Sequence, residues 1–366
     1  MEQEVPCSVR GRLLIEEQIA EALGLKVWRR AWGRPVFYVD RPFPLLGHIA
    51  FGVIDRGTNV LQVRPTTLCV LSCVFCSVDA GPRSRWRQAE YIVDPEWLAE
   101  WVHRVAVEKG VAVEALIDGV GDPFTYPWLP RLVRLLKETG VVRSVAAETH
   151  GATLSRKIVD ALEEAGLDRI NLSIESLNEE KARRLTGTPW YSAKRVREVA
   201  EYVARETSID LHVTPVWLPG LNDEDVVEIV EWAYRIGAGK KWPPVTIQKY
   251  IRHRYGRHPE GVREVSWEKY WEWLRRLEEK LGKRLSWSME EWGMSYAPRI
   301  KQPFRRGSRV KLQVAGPGWL RGEYLAVTLD KQRVVTLVGS RGLRVGSLTV
   351  ARIIRDKDGI FIAKAL

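Results

Sequence analysis

Apolar runs and amphipathic segments alternate through the middle of this chain, and this alternation constrains the fold more than any other feature. It is the pattern of repeated strand–helix units around a parallel sheet. Six units are predicted, with strands at 60–63, 113–117, 144–148, 169–174, 210–215 and 245–249, and helices at 95–108, 128–137, 155–165, 192–205 and 223–236. Six units fall short of a closed eight-unit barrel. We therefore expect an α/β fold with an open, partial (βα)6 barrel, whose functional loops lie at the carboxyl ends of the strands.

Segments of different character flank this core. Residues 34–64 are predicted to form short strands with a hairpin turn at 55–57. After the core, apolar strand-length runs separated by Gly-containing turns predict a small all-β barrel of five strands. Its strands are expected at 310–314, 323–328, 334–338, 347–354 and 360–364. The expected division is an N-terminal extension at 1–45, the partial barrel at 46–285, a linker at 286–303 and the small β-barrel at 304–366.

The composition is that of a globular protein whose 366 residues suffice for about two domains. No apolar stretch approaches the ~20 residues that a membrane-spanning helix needs, and the acidic start at 1–5 is unlike a signal peptide. A cytoplasmic location is expected. Arg and Glu abound while Asn is scarce, which favours a thermophilic, archaeal source.

Three cysteines cluster directly after the first predicted barrel strand, at Cys69, Cys73 and Cys76, and the fourth, Cys7, is distant. Thiolates hold iron–sulfur clusters or zinc, and a closed structural site ordinarily takes four protein ligands. Three ligands leave a coordination position open for a cofactor or substrate. The alternatives are inert core cysteines, or a zinc site closed by a histidine. The candidate histidines are His48, His103 and His150.

The spacing C-x3-C-x2-C, with the aromatic Phe75 before the last cysteine, resembles the signature of the radical S-adenosylmethionine (radical SAM) superfamily. The resemblance implies that Cys69, Cys73 and Cys76 hold a [4Fe-4S] cluster whose fourth iron binds S-adenosylmethionine. It further implies that one electron from the cluster cleaves the sulfonium to give a 5′-deoxyadenosyl radical. That radical can remove hydrogen from an unactivated carbon, for which acid–base side chains are too weak.

Further motifs follow in the order that this family shows. Residues 119–123 resemble its glycine-rich GGEP-type loop, with Asp122 replacing the usual Glu, while 148–151 stand where the family has Thr-Asn-Gly, with His150 as a departure. Residues 171–176 resemble a segment whose polar groups bind the SAM ribose and carboxylate. The alternatives are an ordinary Gly-Asp-Pro turn and an internal hydrogen-bond network. The resemblance implies these SAM-binding residues: Phe75, Gly119, Gly121, Asp122, Pro123, Thr149, Asn171, Ser173 and Glu175.

Most of the chain's net positive charge lies in its last segment. Residues 301–366 contain 14 Lys and Arg against 4 Asp and Glu, a net +10 out of +11 for the whole chain. Such concentration is typical of a nucleic-acid-binding module, although a solvated basic surface is the plain alternative. With its strand rhythm and the segments 321–323 and 345–350, this region resembles a TRAM domain, a small RNA-binding barrel. The candidate RNA contacts are Arg305, Arg306, Arg309, Lys311, Arg321, Arg333, Arg341 and Arg344.

The cysteine count limits the reaction. With only Cys7 outside the triplet, a second cluster of the kind used in methylthiolation is not expected, and methyl transfer through a cysteine requires Cys7 to reach the site. The expected function is therefore a single-cluster modification of RNA, most simply of a tRNA nucleoside, with a ferredoxin or flavodoxin as electron donor. Two alternatives stay open. One is a radical SAM enzyme acting on a peptide, lipid or small molecule, and the other is a non-catalytic RNA-binding iron–sulfur protein.

Overall fold

The computed structural model describes residues 7–340 and 342–366, with side chains described from residue 15 onward. Eight α-helices and sixteen strands are assigned in these ranges. The first half contains α1 (Cys7–Ala22), β1 (Leu25–Ala31), β2 (Arg34–Val39), β3 (Gly52–Asp55), β4 (Val60–Arg64), β5 (Glu90–Val93), α2 (Pro95–Lys109), β6 (Val113–Ile117), α3 (Leu129–Glu138), β7 (Val142–Thr149), α4 (Arg156–Glu164) and β8 (Arg169–Leu172). The second half contains α5 (Glu179–Thr186), α6 (Ala193–Glu206), β9 (Asp210–Val213), β10 (Val216–Trp217), α7 (Asp223–Ile236), β11 (Gln248–Lys249), α8 (Trp267–Leu281), β12 (Arg309–Pro317), β13 (Tyr324–Thr328), β14 (Val334–Leu337), β15 (Leu348–Arg355) and β16 (Ile362–Ala365).

The main sheet has six strands in the order β3-β4-β6-β7-β8-β9. The pair β3–β4 is antiparallel, which confirms the predicted hairpin, and the five strands from β4 to β9 are parallel. Helices cover the sheet, so its strands are buried and read as apolar runs. These strands confirm the predicted α/β alternation through the fifth unit.

The sixth predicted strand is shorter than the sequence suggests. Val245 makes a single parallel bridge to Val213, and only β11 is a true strand, paired with β10 outside the main sheet. Two prolines precede the run 245–249, and polar residues lie within it. The run therefore does not pair continuously with β9. The parallel part of the main sheet therefore has five strands rather than the six that were predicted.

Helix starts follow local capping chemistry, with one informative exception. Asp94 caps α2 by accepting a hydrogen bond from the Trp97 amide, and Pro95 occupies the first turn. Asn222, at the N-terminus of α7, makes no side-chain cap bond. Its amide accepts from the Leu218 amide and donates to the carbonyls of Glu175 and Val216. This side chain thus ties the loop after β9 to the segment after β8.

Residues 286–303, predicted as a linker, pack across the amino-terminal ends of the barrel strands. Trp292 lies edge-on to His212 of β9, with ring centroids 4.7 Å apart. The Asn59 side chain bonds both the Gly293 carbonyl and the Ser295 amide. These contacts cover the end of the barrel opposite to its functional loops.

The C-terminal residues form the closed five-stranded barrel that the sequence predicts, in the order β12-β13-β14-β16-β15. Its interior is a separate apolar cluster that includes Leu312, Val335 and Phe361. The barrel docks on the first part of the chain through backbone hydrogen bonds, Val334 N–H to the Leu46 carbonyl at 2.7 Å and Phe361 N–H to the Gly47 carbonyl at 2.9 Å. Both parts of the molecule therefore form one packed unit.

Candidate active site

The three clustered cysteines lie on a long loop, residues 65–89, that connects β4 to β5. Cys69 and Cys73 are buried, and Cys76 is half-buried. The loop is anchored to α5, since the Ser72 and Val74 amides donate to carbonyls at its end. All three thiols line one cavity of about 320 Å³ at the carboxyl ends of the barrel strands, where parallel α/β folds collect their functional groups.

Burial dominates the electrostatics of these thiols. It raises the pKa of Cys69 above the ordinary thiol value, with the Asp122 carboxylate adding to the effect. Burial likewise raises the pKa of Cys73, followed by the charges of the Cys69 and Cys76 thiols. Three thiolates cannot share this space without a cation to offset their repulsion and desolvation. The donor set fits an iron–sulfur cluster, whose iron ions supply that charge.

No set of three His, Cys, Asp or Glu side chains within residues 15–340 and 342–366 converges on a position for a single metal ion. A zinc ion needs such convergence, whereas in a cubane cluster each cysteine binds a different iron. His48 is buried against Phe51 and Tyr91, and its Nδ1 accepts from the Ala50 amide. Burial lowers the pKa of His48 to about 3. It serves the core rather than the cysteine loop.

The glycine-rich loop 119–123 lies directly against the start of the cysteine loop. A Cβ on Gly121 would come within 2.2 Å of the Leu68 carbonyl oxygen, so only glycine fits without a backbone shift. The Asp122 amide donates to that same carbonyl at 2.8 Å. Pro123 begins a 3-10 turn that Asp122 caps by accepting from the Phe124 amide. These contacts fix the glycine loop relative to Cys69.

Asp122 also connects the second and third strand loops. Its carboxylate accepts from the Thr149 hydroxyl at 3.0 and 3.1 Å and from the His150 amide at 3.1 Å. The Thr149 hydroxyl in turn accepts from the Gly151 amide. The structure therefore brings together Gly119, Gly121, Asp122, Pro123 and Thr149, and all five line the cavity beside the cysteines.

The segment after β8 contributes a third polar wall. Asn171 and Ser173 line the cavity together with Phe75, whereas Glu175 lies behind that surface. The Ser173 hydroxyl donates to the Glu175 carboxylate at 2.7 Å, and the Asn171 carbonyl oxygen accepts from the Arg169 Nε at 2.9 Å. Of these three polar residues, Asn171 and Ser173 therefore face the cavity, and Glu175 supports Ser173 from behind.

His150 forms an ion pair with Glu175, Nδ1 to Oε2, at 3.7 Å. Burial alone would lower the pKa of this imidazole, but the Glu175 carboxylate outweighs it and raises the pKa to about 9. At neutral pH the ring is therefore protonated. His150, which replaces a residue of the family's Thr-Asn-Gly segment, therefore places a positive charge at the cavity wall.

The opposite wall comes from residues that the sequence did not single out. Glu148 lies in β7 and Thr214 follows β9, whereas the others stand in and after the short sixth strand, in a stretch without periodicity. Only their position at the end of a barrel strand could have indicated a site. Burial and the neighbouring Asp118 raise the pKa of Glu148, another wall residue, to about 7. The additional wall residues are Glu148, Thr214, Gln248, Lys249, Tyr250, His253 and Arg257.

Arg257 is the strongest link between this wall and the cysteine loop. Its guanidinium donates to the carbonyls of Cys73 and Ala80, both at 2.7 Å, and pairs with Asp79 at 3.2 Å. Its backbone amide donates to the Cys76 carbonyl at 2.9 Å. The segment 251–258 therefore straps the cysteine loop in place.

A cysteine triplet after the first parallel strand, facing a glycine loop and a polar strand end, defines an α/β barrel enzyme with an open iron–sulfur centre. The Radical SAM superfamily model matches residues 63–233. An uncharacterised protein of Methanocaldococcus jannaschii is 34% identical over 372 residues, covering 96% of this chain and 84% of its own length. The chain belongs to the radical SAM superfamily, which uses a [4Fe-4S] cluster and SAM.

Other relatives match about half of the chain. The GTP 3′,8-cyclase of Chlorobaculum tepidum is 27% identical over 176 residues, covering 48% of this chain and 50% of the relative. The chain thus spans about half the length of the cyclase relatives that it matches. Among solved structures, Streptococcus suis SuiB bound to S-adenosylmethionine has a TM-score of 0.44 and 18% identity, covering 66% of this chain and 47% of that chain. Across the residues described, no helix is both long and apolar enough to cross a membrane.

The basic residues predicted to contact RNA are mostly exposed. Arg333 is an exception, because its guanidinium donates to the carbonyls of Lys301 and Gln332 and burial lowers its pKa. Arg341 lies outside the described residues. Those exposed as expected are Arg305, Arg306, Arg309, Lys311, Arg321 and Arg344, and the exposed basic residues not singled out are Arg352, Arg355, Lys357 and Lys364.

Proposed function

We propose that this radical SAM enzyme modifies RNA, with a tRNA nucleoside as the first candidate substrate. The observation that carries the proposal is the contact between the basic barrel and the cysteine loop. The Gln88 side chain donates to the carbonyls of Gly318 and Glu323, and the Arg321 amide donates to the Trp86 carbonyl. A polyanion held by the barrel is thereby close to the loop that surrounds the cluster site.

The outer face of β12 and β15 suits phosphate binding. Arg309 stands directly opposite Arg352 in the ladder, and Lys311 stands opposite Val350. Like charges opposed across strands destabilise a sheet, and a bound anion would offset that repulsion. Exposed Leu348 and Val350 on the same face offer apolar contact beside the cations. Phosphate attraction delivers RNA without selecting a base.

Within the cavity, the chain's own residues have separable tasks. Cys69, Cys73 and Cys76 would hold the cluster. Asp122 and Thr149 would orient the SAM ammonium group, to which a carboxylate can accept a charge-assisted hydrogen bond, and Asn171 and Ser173 would hold its ribose and carboxylate. When bound, the cluster and SAM supply a 5′-deoxyadenosyl radical that removes hydrogen from an unactivated carbon. Buried Leu71 and Phe75 exclude water that would quench the radical.

The part of the cavity lining that does not hold SAM would receive the substrate. It presents the protonated His150, the carboxyl of Glu148 and the amide of Gln248 around one opening. This mixture of donors and acceptors suits a nucleobase or ribose, and the other cations at this wall are engaged in structural contacts. Lys249, for example, pairs with Glu264 at 2.8 Å.

A free nucleotide is the second candidate substrate. The relatives called GTP 3′,8-cyclases match about half of the chain, and the polar lining of the cavity suits a nucleotide. The basic barrel would then only dock the enzyme on RNA. A one-electron donor such as ferredoxin or flavodoxin completes the proposal, and cytoplasmic tRNA agrees with the expected location.

The test is an anaerobic assay of the reconstituted enzyme with SAM and dithionite, scored for 5′-deoxyadenosine. We expect tRNA to increase its formation, and mass spectrometry of the digested tRNA should then show a changed nucleoside. Parallel reactions contain rRNA or GTP in place of tRNA. Stimulation by GTP and not by RNA would replace the RNA proposal with the nucleotide one. Absence of 5′-deoxyadenosine under all conditions would favour the non-catalytic alternative.

A further inference from the structure

A second cavity, of about 350 Å³, opens at the junction of three elements. One wall is the cysteine loop at Trp86, the second is the strap at Arg254 and Tyr255, and the third is the β12–β13 turn of the C-terminal barrel, residues 320–323. We call this cavity the junction groove. It shares no lining residue with the cavity that holds the three cysteines.

Two aromatic rings stand exposed in the junction groove. Trp86 is 43% exposed and Tyr255 is 39% exposed, although the two rings contact each other with centroids 5.3 Å apart at an interplanar angle of 68°. The Arg254 guanidinium carbon lies 5.2 Å from the Tyr255 ring centroid. Neighbouring exposed rings are costly in water and are typical of sites where a planar partner stacks.

The charge around these rings is positive. Arg254 and Arg321 line the groove, and Arg83 and Arg85 are exposed beside it on the same loop as Trp86. Among the described lining residues the one acid is Glu323, and its carboxylate already accepts from the Leu320 amide at 3.0 Å. Aromatic rings set among arginines suit a base flanked by phosphates better than an apolar or basic peptide.

The wall between the groove and the cluster cavity is one chain thick. His253 and Arg257 line the cluster cavity, whereas Arg254 and Tyr255, between them in sequence, line the groove. A Cβ on Gly256 would lie 3.0 Å from the Cys76 carbonyl oxygen, so the strap passes very close to the cysteine loop. A nucleotide in the groove would be adjacent to one entering the cavity.

We infer that the junction groove binds an unpaired RNA nucleotide next to the one being modified, with its base stacked on the Trp86 ring and in edge contact with the Tyr255 ring, and with its phosphates near Arg254 and Arg321. This inference rests on the proposed RNA substrate. It goes beyond it by naming single-stranded RNA as the form bound, because a paired base cannot present its face and edge to the two rings. The basic face of β12 and β15 contacts phosphates of either form.

The test compares binding of two RNA probes to the reconstituted full-length enzyme by fluorescence anisotropy. The probes are a labelled, unstructured oligonucleotide and the same strand annealed to its complement. Trp86→Ala and Tyr255→Ala should each weaken binding of the single strand about 10-fold, as expected when one stacking ring is removed, and leave duplex binding unchanged. Trp86→Phe, which keeps a ring, should retain most of the affinity.

Trp271→Ala is the matched control, since Trp271 lies on α8 and is 45% exposed. It should bind both probes as the wild type does. Cluster absorbance and far-UV circular dichroism establish that each variant is folded. Single-strand affinity unchanged in both Trp86→Ala and Tyr255→Ala would overturn the groove assignment while leaving the RNA proposal standing. Failure of the wild type to bind either probe would instead remove the RNA proposal, and the groove assignment with it.

Discussion

Asp122 combines a structural role with the proposed contact to SAM in one carboxylate. It caps the 3-10 turn that follows it and accepts from both Thr149 and the His150 amide. The contact of the glycine loop with the Leu68 carbonyl sets the backbone position of this side chain, which is one methylene shorter than the family's usual Glu. The charge of this carboxylate remains available to a cation that enters the cavity.

Asp122→Asn should weaken SAM binding about 10-fold or more, because the substitution removes a charge-assisted hydrogen bond to the ammonium. Equilibrium dialysis of the anaerobic, cluster-loaded enzyme measures the affinity. Asp168→Asn is the control. Like Asp122, Asp168 accepts hydrogen bonds from a side chain and from a backbone amide, but it lies away from the cavity. Both variants should lose some thermal stability. Equal SAM affinities in the two would argue against a ligand role for Asp122.

Glu148 gives a residue-scale prediction about pH. Burial and then Asp118 raise the pKa of its carboxyl from 4.5 to about 7, so the folded state holds the proton more tightly than the unfolded chain does. That contribution to stability is complete below pH ~4.5 and is lost as the pH rises through about 7. Glutamine does not ionise, so Glu148→Gln should not lose this stability as the pH rises.

The melting temperature of Glu148→Gln minus that of the wild type should therefore be larger at pH 8 than at pH 5. Differential scanning fluorimetry at both pH values measures it. Glu228→Gln, a substitution on α7 away from the cavity, should show the same offset from wild type at both. A pH-independent offset for Glu148→Gln as well would mean that Glu148 is charged throughout this range.

At the scale of elements, local sequence signals predicted the strands well, whereas contacts between distant segments could not be predicted. The five parallel strands and the five barrel strands follow from apolar runs between turns, and the cysteine loop follows from its place after β4. The strap was missed because residues 251–258 have neither periodicity nor a motif. Arg257 acquires its role only from bonds to carbonyls about 180 residues earlier in the chain, for which no local signal exists.

The ladder between β12 and β15 allows the phosphate-binding face to be tested without deleting the barrel. Arg309→Glu combined with Lys311→Glu should weaken tRNA binding and reduce the slope of log affinity against log salt by about 1 for each phosphate that the variant no longer binds. Filter binding over a series of salt concentrations measures both. Lys269→Glu on α8 is the control, because Lys269 is exposed on the other part of the molecule. An unchanged slope in the double variant would show that this face does not contact phosphate.

At the scale of the whole molecule, the C-terminal barrel packs against the cysteine loop. Arg87 is buried, pairs with Glu90 at 3.0 Å, donates to the Thr67 carbonyl at 2.7 Å and lies 5.0 Å from the Trp319 ring of the barrel. One arginine thus connects the cysteine loop, β5 and the barrel. Composition could indicate a basic module, but this docking arises from single contacts that the sequence pattern does not encode.

Gly47 provides a test of that docking. Its φ of +113° lies in the region that favours glycine, and a Cβ there would come within 2.1 Å of the Val334 carbonyl oxygen. Gly33 also has a positive φ, +78°, but a Cβ on it would meet nothing within 4 Å. Alanine at either position incurs backbone strain of about 1–2 kcal/mol. Only at Gly47 must the barrel also move away.

Gly47→Ala should therefore lower the melting temperature more than Gly33→Ala does. It should also open the segment 286–303 to limited trypsin digestion, because that segment connects the two parts, and it should reduce tRNA-stimulated formation of 5′-deoxyadenosine. Gly33→Ala should digest like the wild type. If the two variants melt and digest alike, the barrel is held by contacts other than the Leu46–Gly47 backbone. If they differ as expected, the hydrogen bonds from Val334 and Phe361 to this short segment hold the C-terminal barrel against the first part of the chain.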